Sequence, residues 1–147
     1  MYGKTFIRAV VPSFMNKTNL LIFLTVLCAV SVYAWTTPNL YIKSITFQEY
    51  WVLGTNGTNE TWVNVTTIVA NALDSGWAAE STTRTDNLLG DIDHSTPILA
   101  PGQQHVITQI YRCTTAHTHI AVADYFNVVN EWDETDNVGS VYIDCRI

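Results

Sequence analysis

Lysine is nearly missing from this chain of 147 residues, which holds only Lys4, Lys17 and Lys43. Lys and Arg together number seven against thirteen acids, for a net charge of −6. The shortage is uneven. Before Trp35 stand Lys4, Arg8 and Lys17 with no acid; from Trp35 onward Lys43, Arg84, Arg112 and Arg146 face all thirteen acids, so that part carries −9. A body this acidic repels phosphate instead of displacing its counterions, which excludes nucleic acid as a partner. It suits a soluble surface, or one that takes divalent cations. Past Pro38 there is no long helical period, no internal repeat and no low-complexity tract. No G-x-S-x-G, HExxH or phosphate-binding loop occurs. Carboxylate pairs crowd into one loop instead of flanking a cleft, so the chain is expected not to be an enzyme.

What is present begins with an uninterrupted apolar run at residues 20–35, LLIFLTVLCAVSVYAW. As a helix its sixteen residues reach about 24 Å, short of the roughly 30 Å hydrocarbon core. Cations precede it, and Val32-Tyr33-Ala34 closes it in the manner of a signal-peptide cleavage site. Two readings follow. Residues 1–34 are a secretory signal cut after Ala34, or an uncleaved signal anchor that crosses the membrane through residues 20–35 with its cations inside. Both put residues 35–147 outside the cytoplasm, extracellular or at the cell surface. Cys28, inside the run and preceded by Leu27, reads as an apolar residue, not a lipid-attachment site.

The body is rich in Thr, Val and aromatics, which favour strands. Strands are expected over 40–49, 60–73, 78–89, 91–99, 105–113, 118–126 and 138–145. The second is the clearest, with Val63, Val65, Thr67 and Val69 on one face. Asp74-Ser75-Gly76 and Pro101-Gly102 supply turns. Seven short strands with turns every 8–12 residues predict an all-β fold, a seven-stranded immunoglobulin-like sandwich, preceded by one N-terminal hydrophobic helix.

Several residues invite chemistry. Cys113 and Cys145 are the body's only cysteines. In such a sandwich the strands ending at them run the same way and finish at the same end, so a disulfide is expected. It would close a loop of about 33 residues and add roughly 3–4 kcal/mol by chain entropy. Sequons begin at Asn56, Asn59 and Asn64, and read as glycosylation sites near a hairpin tip, with Asn64 facing solvent. A fourth, at Asn16, lies on the wrong side of the apolar run. Asp124, Asn130, Glu131, Asp133, Glu134 and Asp136 fall within thirteen residues and form an all-oxygen set that could hold Ca²⁺. The spacing is not that of an EF-hand. The plainer alternative is an acidic loop whose side chains satisfy backbone groups in tight turns. His117 and His119 share a strand face, which pairs them for a transition metal or leaves both in solvent, with Ile120 and Val122 inward. Trp62 is expected on the outer face with Asn64, and Trp132 in the acidic loop; exposed Trp suits a contact surface.

The last third carries a more specific pattern. Ala100-Pro101-Gly102 opens a strand; a later strand ends at Asp124; Asn127, Val129, Glu131, Asp133, Glu134 and Asn137 follow before a final strand. Earlier, VANALDSGWAA has two extra residues between Asn71 and Gly76 relative to the matching hairpin. This resembles the CARDB family, cell-adhesion-related domains of prokaryotic surface proteins, over about residues 41–143. The resemblance implies a seven-stranded sandwich, an adhesion or surface-architecture role and no catalytic residues. The expected function is an extracellular module that binds a surface protein or glycan. The alternative is a structural subunit that assembles with copies of itself into a filament or coat through an exposed strand edge.

Overall fold

The structure, a computed structural model, describes residues 37–88 and 90–145, which belong to one compact unit, Ala34–Ile147. The apolar run, Cys28 and the Asn16 sequon lie outside the described residues. Among the described residues no helix is long and apolar enough to cross a membrane.

The described residues form seven strands: β1 (Leu40–Leu53), β2 (Asn59–Asn71), β3 (Ser81–Asn87), β4 (Gly90–Thr96), β5 (Gln104–Arg112), β6 (His117–Val122) and β7 (Val138–Ile143). They build a three-stranded sheet in the order β1-β2-β5 and a four-stranded sheet in the order β4-β3-β6-β7. Every pairing is antiparallel. The alternation that marked β2 is the cause of its position. Val63, Val65, Thr67 and Val69 are all buried, so β2 lies between two partners with one face to the core. β1 and β2 continue together past the end of β5, and Trp51, Val52 and Leu53 stand exposed on this two-stranded ribbon. A tight turn closes it, with the Gly54 N–H donating to the Thr58 carbonyl at 2.8 Å.

The sheets share their core. One apolar cluster joins Leu40, Val69 and Ile107 of the first sheet to Ala123 and Val129 beyond β6, with Ala78 and Leu99 from loops. The other joins Val63, Val65, Tyr111 and Cys113 to Ile143 of β7. Where edge strand β1 meets β7, Gly139 has no room for a side chain, because a Cβ there would collide with Ile42.

Between the apolar clusters the interior is polar. Thr67 and Gln109 separate the two clusters along β2 and β5, and the inward positions of the second sheet include Thr83, Thr85, Thr96 and His119, all buried. β3 (STTRTDN) has no apolar residue, yet its alternate residues are buried. Thr suits such a site because its methyl packs while its hydroxyl finds a partner. Thr83 and Thr96 Oγ1 atoms lie 2.7 Å apart, and Thr85 Oγ1 lies 3.0 Å from His94 Nε2.

Chain direction fixes two ends. The loops 54–58 and 113–116 lie at one end, with the close of β7. The entry to β1 and the loops 72–80, 97–103 and 123–137 lie at the other. Both ends concern function.

Candidate functional site

At the first end Cys113 and Cys145 form a disulfide with Cα atoms 5.6 Å apart. Cys113 follows β5 and Cys145 follows β7, so the bridge ties one sheet to the other. His117 is held beside it, its Nε2 2.8 Å from the Tyr111 hydroxyl and its Nδ1 3.1 Å from the Thr115 carbonyl. Ligand atoms of Cys113, His117 and Cys145 lie within 4.8 Å of one another. The bridge occupies both sulfurs, and a disulfide is not the thiolate that metals bind.

His119 corrects an expectation. It does not share an outer face with solvent; it is fully buried, with Ala121, while Ile120 points out. Its ring stacks on Tyr111 at 6.4 Å between centroids. That aromatic contact, with the small Ala121 and Ala123 needed under the opposite sheet, sets the parity that Ile120 would otherwise have claimed. Burial pushes the His119 pKa down to about 4 and raises the Tyr111 hydroxyl to about 12.

The sequons divide. Asn56 and Asn59 are exposed at the β1–β2 turn. Asn56 Oδ1 accepts from the Thr58 amide at 3.1 Å and from the Thr58 hydroxyl at 2.7 Å. Asn64 is on the outer face but half-buried, its amide oxygen closed off without a partner. It lines a groove with Thr46, Gln48 and Thr66. Trp62 on the same face is also half-buried, with its indole nitrogen closed off. Central strand β2 is overhung by the side chains of both neighbours, so facing out there does not mean exposure.

At the second end one residue organises three segments. Asn71 is buried at the end of β2. Its Oδ1 accepts from the Asn39 amide at 3.1 Å and the Ser75 hydroxyl at 2.6 Å, and its Nδ2 donates to the carbonyls of Gly76 at 2.7 Å and Leu99 at 3.0 Å. Every hydrogen-bonding position of the amide is filled. The Gly102 N–H donates to the Asn71 carbonyl, and Gly102 takes φ +76°, which a side chain would strain. The sequence marked Asn71 only as part of a hairpin pattern.

The acidic loop sorts into two groups. The first group binds backbone, as the plainer reading expects. Asp124, at φ 41°, accepts from the Val128 amide at 3.2 Å and the Val129 amide at 2.7 Å. Asp133 accepts from the amide and hydroxyl of Thr135, which hold its carboxyl below the usual range. Glu134 accepts from the Glu131 amide at 3.2 Å and from Asn137 Nδ2 at 3.1 Å. Asn130 is exposed.

The second group packs against the start of β1, with Glu131 buried and Asp136 half-buried. Glu131, 7% exposed, accepts from the Leu40 amide at 2.6 Å through Oε2. Asp136 Oδ2 accepts from Asn39 Nδ2 at 3.1 Å. The Trp132 amide donates to the Pro38 carbonyl at 3.3 Å and the Ile42 amide to the Asp136 carbonyl at 3.4 Å. These bonds clasp residues 38–42 to the loop. Burial pushes the Glu131 carboxyl up to about 8 against the opposing Leu40 bond, and Glu134, Asp124 and Asp136 push it further. Burial also raises Asp136, against the bond from Asn39. Asn39 was not among the expected ligands. Nothing in its local sequence pointed to a loop ninety-seven residues away.

The molecule also exposes apolar side chains. Trp77, Leu73, Ile98, Phe126 and Trp132 surface from the loops of the second end. On edge strand β5, Val106 and Ile110 point outward at 55% and 58% exposure. No family model matches the chain, and neither a curated protein nor a solved structure does.

Proposed function

We propose that the chain is an exported, non-enzymatic module of CARDB type that acts at a cell surface by binding a protein or a glycan. One observation carries the reading: two antiparallel sheets in the orders β1-β2-β5 and β4-β3-β6-β7, tied by a disulfide between them. Seven strands so arranged suit an immunoglobulin-like sandwich, an architecture that presents loops at its ends. A disulfide suits an oxidising compartment. The apolar residues 20–35 are the segment proposed to deliver the body there, cleaved or retained. Asn56 and Asn59, exposed at the turn, are the sequons proposed to carry sugar. The aromatic residues of the second end, Trp77, Phe126 and Trp132, are the proposed contact surface.

A second reading has its own support. β5 is an edge strand whose outward Val106 and Ile110 would be covered if another copy added a strand there. Light scattering of the exported protein separates the two. A monodisperse monomer is expected of the binding module, whereas large assemblies at modest concentration contradict it and favour a filament or coat. Intact-mass measurement from the native host tests export, through loss of residues 1–34 or added sugar, together with the two hydrogens missing at the disulfide.

A further inference from the structure

Among the described residues, apart from Trp62 Nε1, Asn64 Oδ1 and Ser81 Oγ, the buried polar atoms without a protein partner fall into two groups that differ in a way that matters. In the polar interior the orphans are mixed. Gln109 has both its Nε2 and Oε1 unpaired, and His119 both ring nitrogens. A donor beside an acceptor is what water satisfies. At the clasp between residues 38–42 and the acidic loop the orphans are all oxygens. They are Asn39 Oδ1, Glu131 Oε1, Asp136 Oδ1 and Asn137 Oδ1. Asn39 is 3% exposed, Glu131 7% and Asn137 6%.

The orientation of these groups is determined. Each amide commits its NH₂ to a carboxylate, Asn39 to Asp136 and Asn137 to Glu134, which leaves its carbonyl oxygen as the free end. Glu131 commits one oxygen to the Leu40 amide and keeps the other. The ion pairs among the described residues are Arg84 with Asp91 and Asp93, and Arg112 with Glu60; none brings a cation to this clasp. A buried carboxylate (Glu131), a half-buried one (Asp136) and two buried amide carbonyls each leave a closed-off oxygen without a donor, and hard oxygens of this kind suit a cation.

We propose that Asn39, Glu131, Asp136 and Asn137 bind one Ca²⁺ ion through these four oxygens. Backbone carbonyls or water complete the six to eight ligands that Ca²⁺ takes. The ion closes the entry of β1 onto the β6–β7 loop and so fastens the second end of the sandwich. Asp124, Asp133 and Glu134 are not ligands; they hold the loop backbone in the shape the site needs. The inference stands apart from the function proposed above, since a Ca²⁺ clasp would serve a monomer and a filament subunit equally.

The test uses the full chain in detergent, stripped with EGTA and then titrated with Ca²⁺. One equivalent should bind, and saturation should raise the melting temperature by about 5 °C or more. Terbium bound in its place should luminesce on excitation of the tryptophans, with Trp132 in the same loop. Glu131→Gln keeps the bond to Leu40 but removes a charge, and should weaken Ca²⁺ by about tenfold or more. In EGTA it should melt no lower than the parent, because an amide stays neutral in the buried site without having to take up a proton. Asp136→Asn is the second variant, with the same expected loss. Asp133→Asn should leave Ca²⁺ affinity within about twofold, since Asp133 sits outside the proposed ligand set. Absence of binding at millimolar Ca²⁺ overturns the proposal. So does an equal response to Mg²⁺, or unchanged affinity in both Glu131→Gln and Asp136→Asn.

Discussion

The two ends of the sandwich solve one problem by different means. Each must join a strand of one sheet to a segment of the other. At the first end a covalent bridge joins β5 to β7 through Cys113 and Cys145. At the second, hydrogen bonds from Asn39 and Leu40 at the entry to β1 reach Asp136 and Glu131 in the loop after β6. The covalent tie acts whatever the solvent holds, so long as it stays oxidised, because its main effect is to restrict the unfolded chain. The polar tie depends on how well buried carboxylates are compensated, and is therefore open to control by ions. With the proposed Ca²⁺ bound, a domain fastened this way would be closed at one end while oxidised and at the other while the ion is held. The conditional end is also the one whose loops present Trp77, Phe126 and Trp132.

The largest expected effect breaks the covalent end. Replacing Cys113 and Cys145 by Ala should cost about 3–4 kcal/mol, measured by urea unfolding, by the chain-entropy estimate for the loop they close. At the opposite end Asn71→Ala should cost about 2 kcal/mol, because it leaves the buried Asn39 amide without its acceptor and takes a donor from the Gly76 and Leu99 carbonyls, while Ser75 keeps the Ala72 carbonyl and Leu99 the Ala78 amide. If Asn71→Ala is nearly neutral, the second end is not organised by this amide.

A pH experiment probes the layer between the ends. Burial holds the His119 pKa near 4 while the unfolded chain keeps the ordinary value near 6.5. The unfolded state therefore binds more protons between those values. The stability that His119 contributes is complete above pH 6.5 and is lost as pH falls through 6.5 towards 4. Half-buried His94, also lowered by burial, acts in the same direction. A His119→Leu variant should lose less stability than the parent between pH 7 and pH 5. An identical slope would show that His119 is not buried as a neutral ring.

The smallest effect belongs to neither end. Arg84 pairs with Asp93 at 2.6 and 2.9 Å and stacks over Tyr125 at 3.7 Å, all on the outer surface. Water screens such a pair, so Arg84→Ala should shift the melting temperature less than any change above.

Much of the fold was legible. The Val and Thr alternation of β2 and the turns at Asp74-Ser75-Gly76 and Pro101-Gly102 place the strands within a few residues of where they form. β1 runs on to Leu53, beyond the expected 49, because Tyr50–Leu53 pair with Asn59–Trp62 in a ribbon whose apolar residues lie outside the core. Residues 123–126, expected as strand, form turn around Asp124 with its positive φ. What could not be read was the polar interior. A strand such as STTRTDN gives no apolar period, so which face is buried depends on the opposite sheet. At His119 a reading that sends Ile inward and His outward fails because Tyr111 offers a stacking partner inside. The acidic loop was visible as a cluster, but its division into backbone caps and buried oxygens rests on Asn39 and Leu40, far away in sequence.

The most direct test of this two-ended account is amide hydrogen exchange of the full chain, read residue by residue with Ca²⁺ and with EGTA while the disulfide stays intact. The Leu40 amide, bonded to Glu131, and the Trp132 amide, bonded to Pro38, should be protected far more strongly with Ca²⁺. The Cys113 amide, bonded to Thr61 at the other end, should change little beyond the rise in global stability. Equal protection at Leu40 and Trp132 in both conditions, or a uniform gain across both ends, would contradict the account.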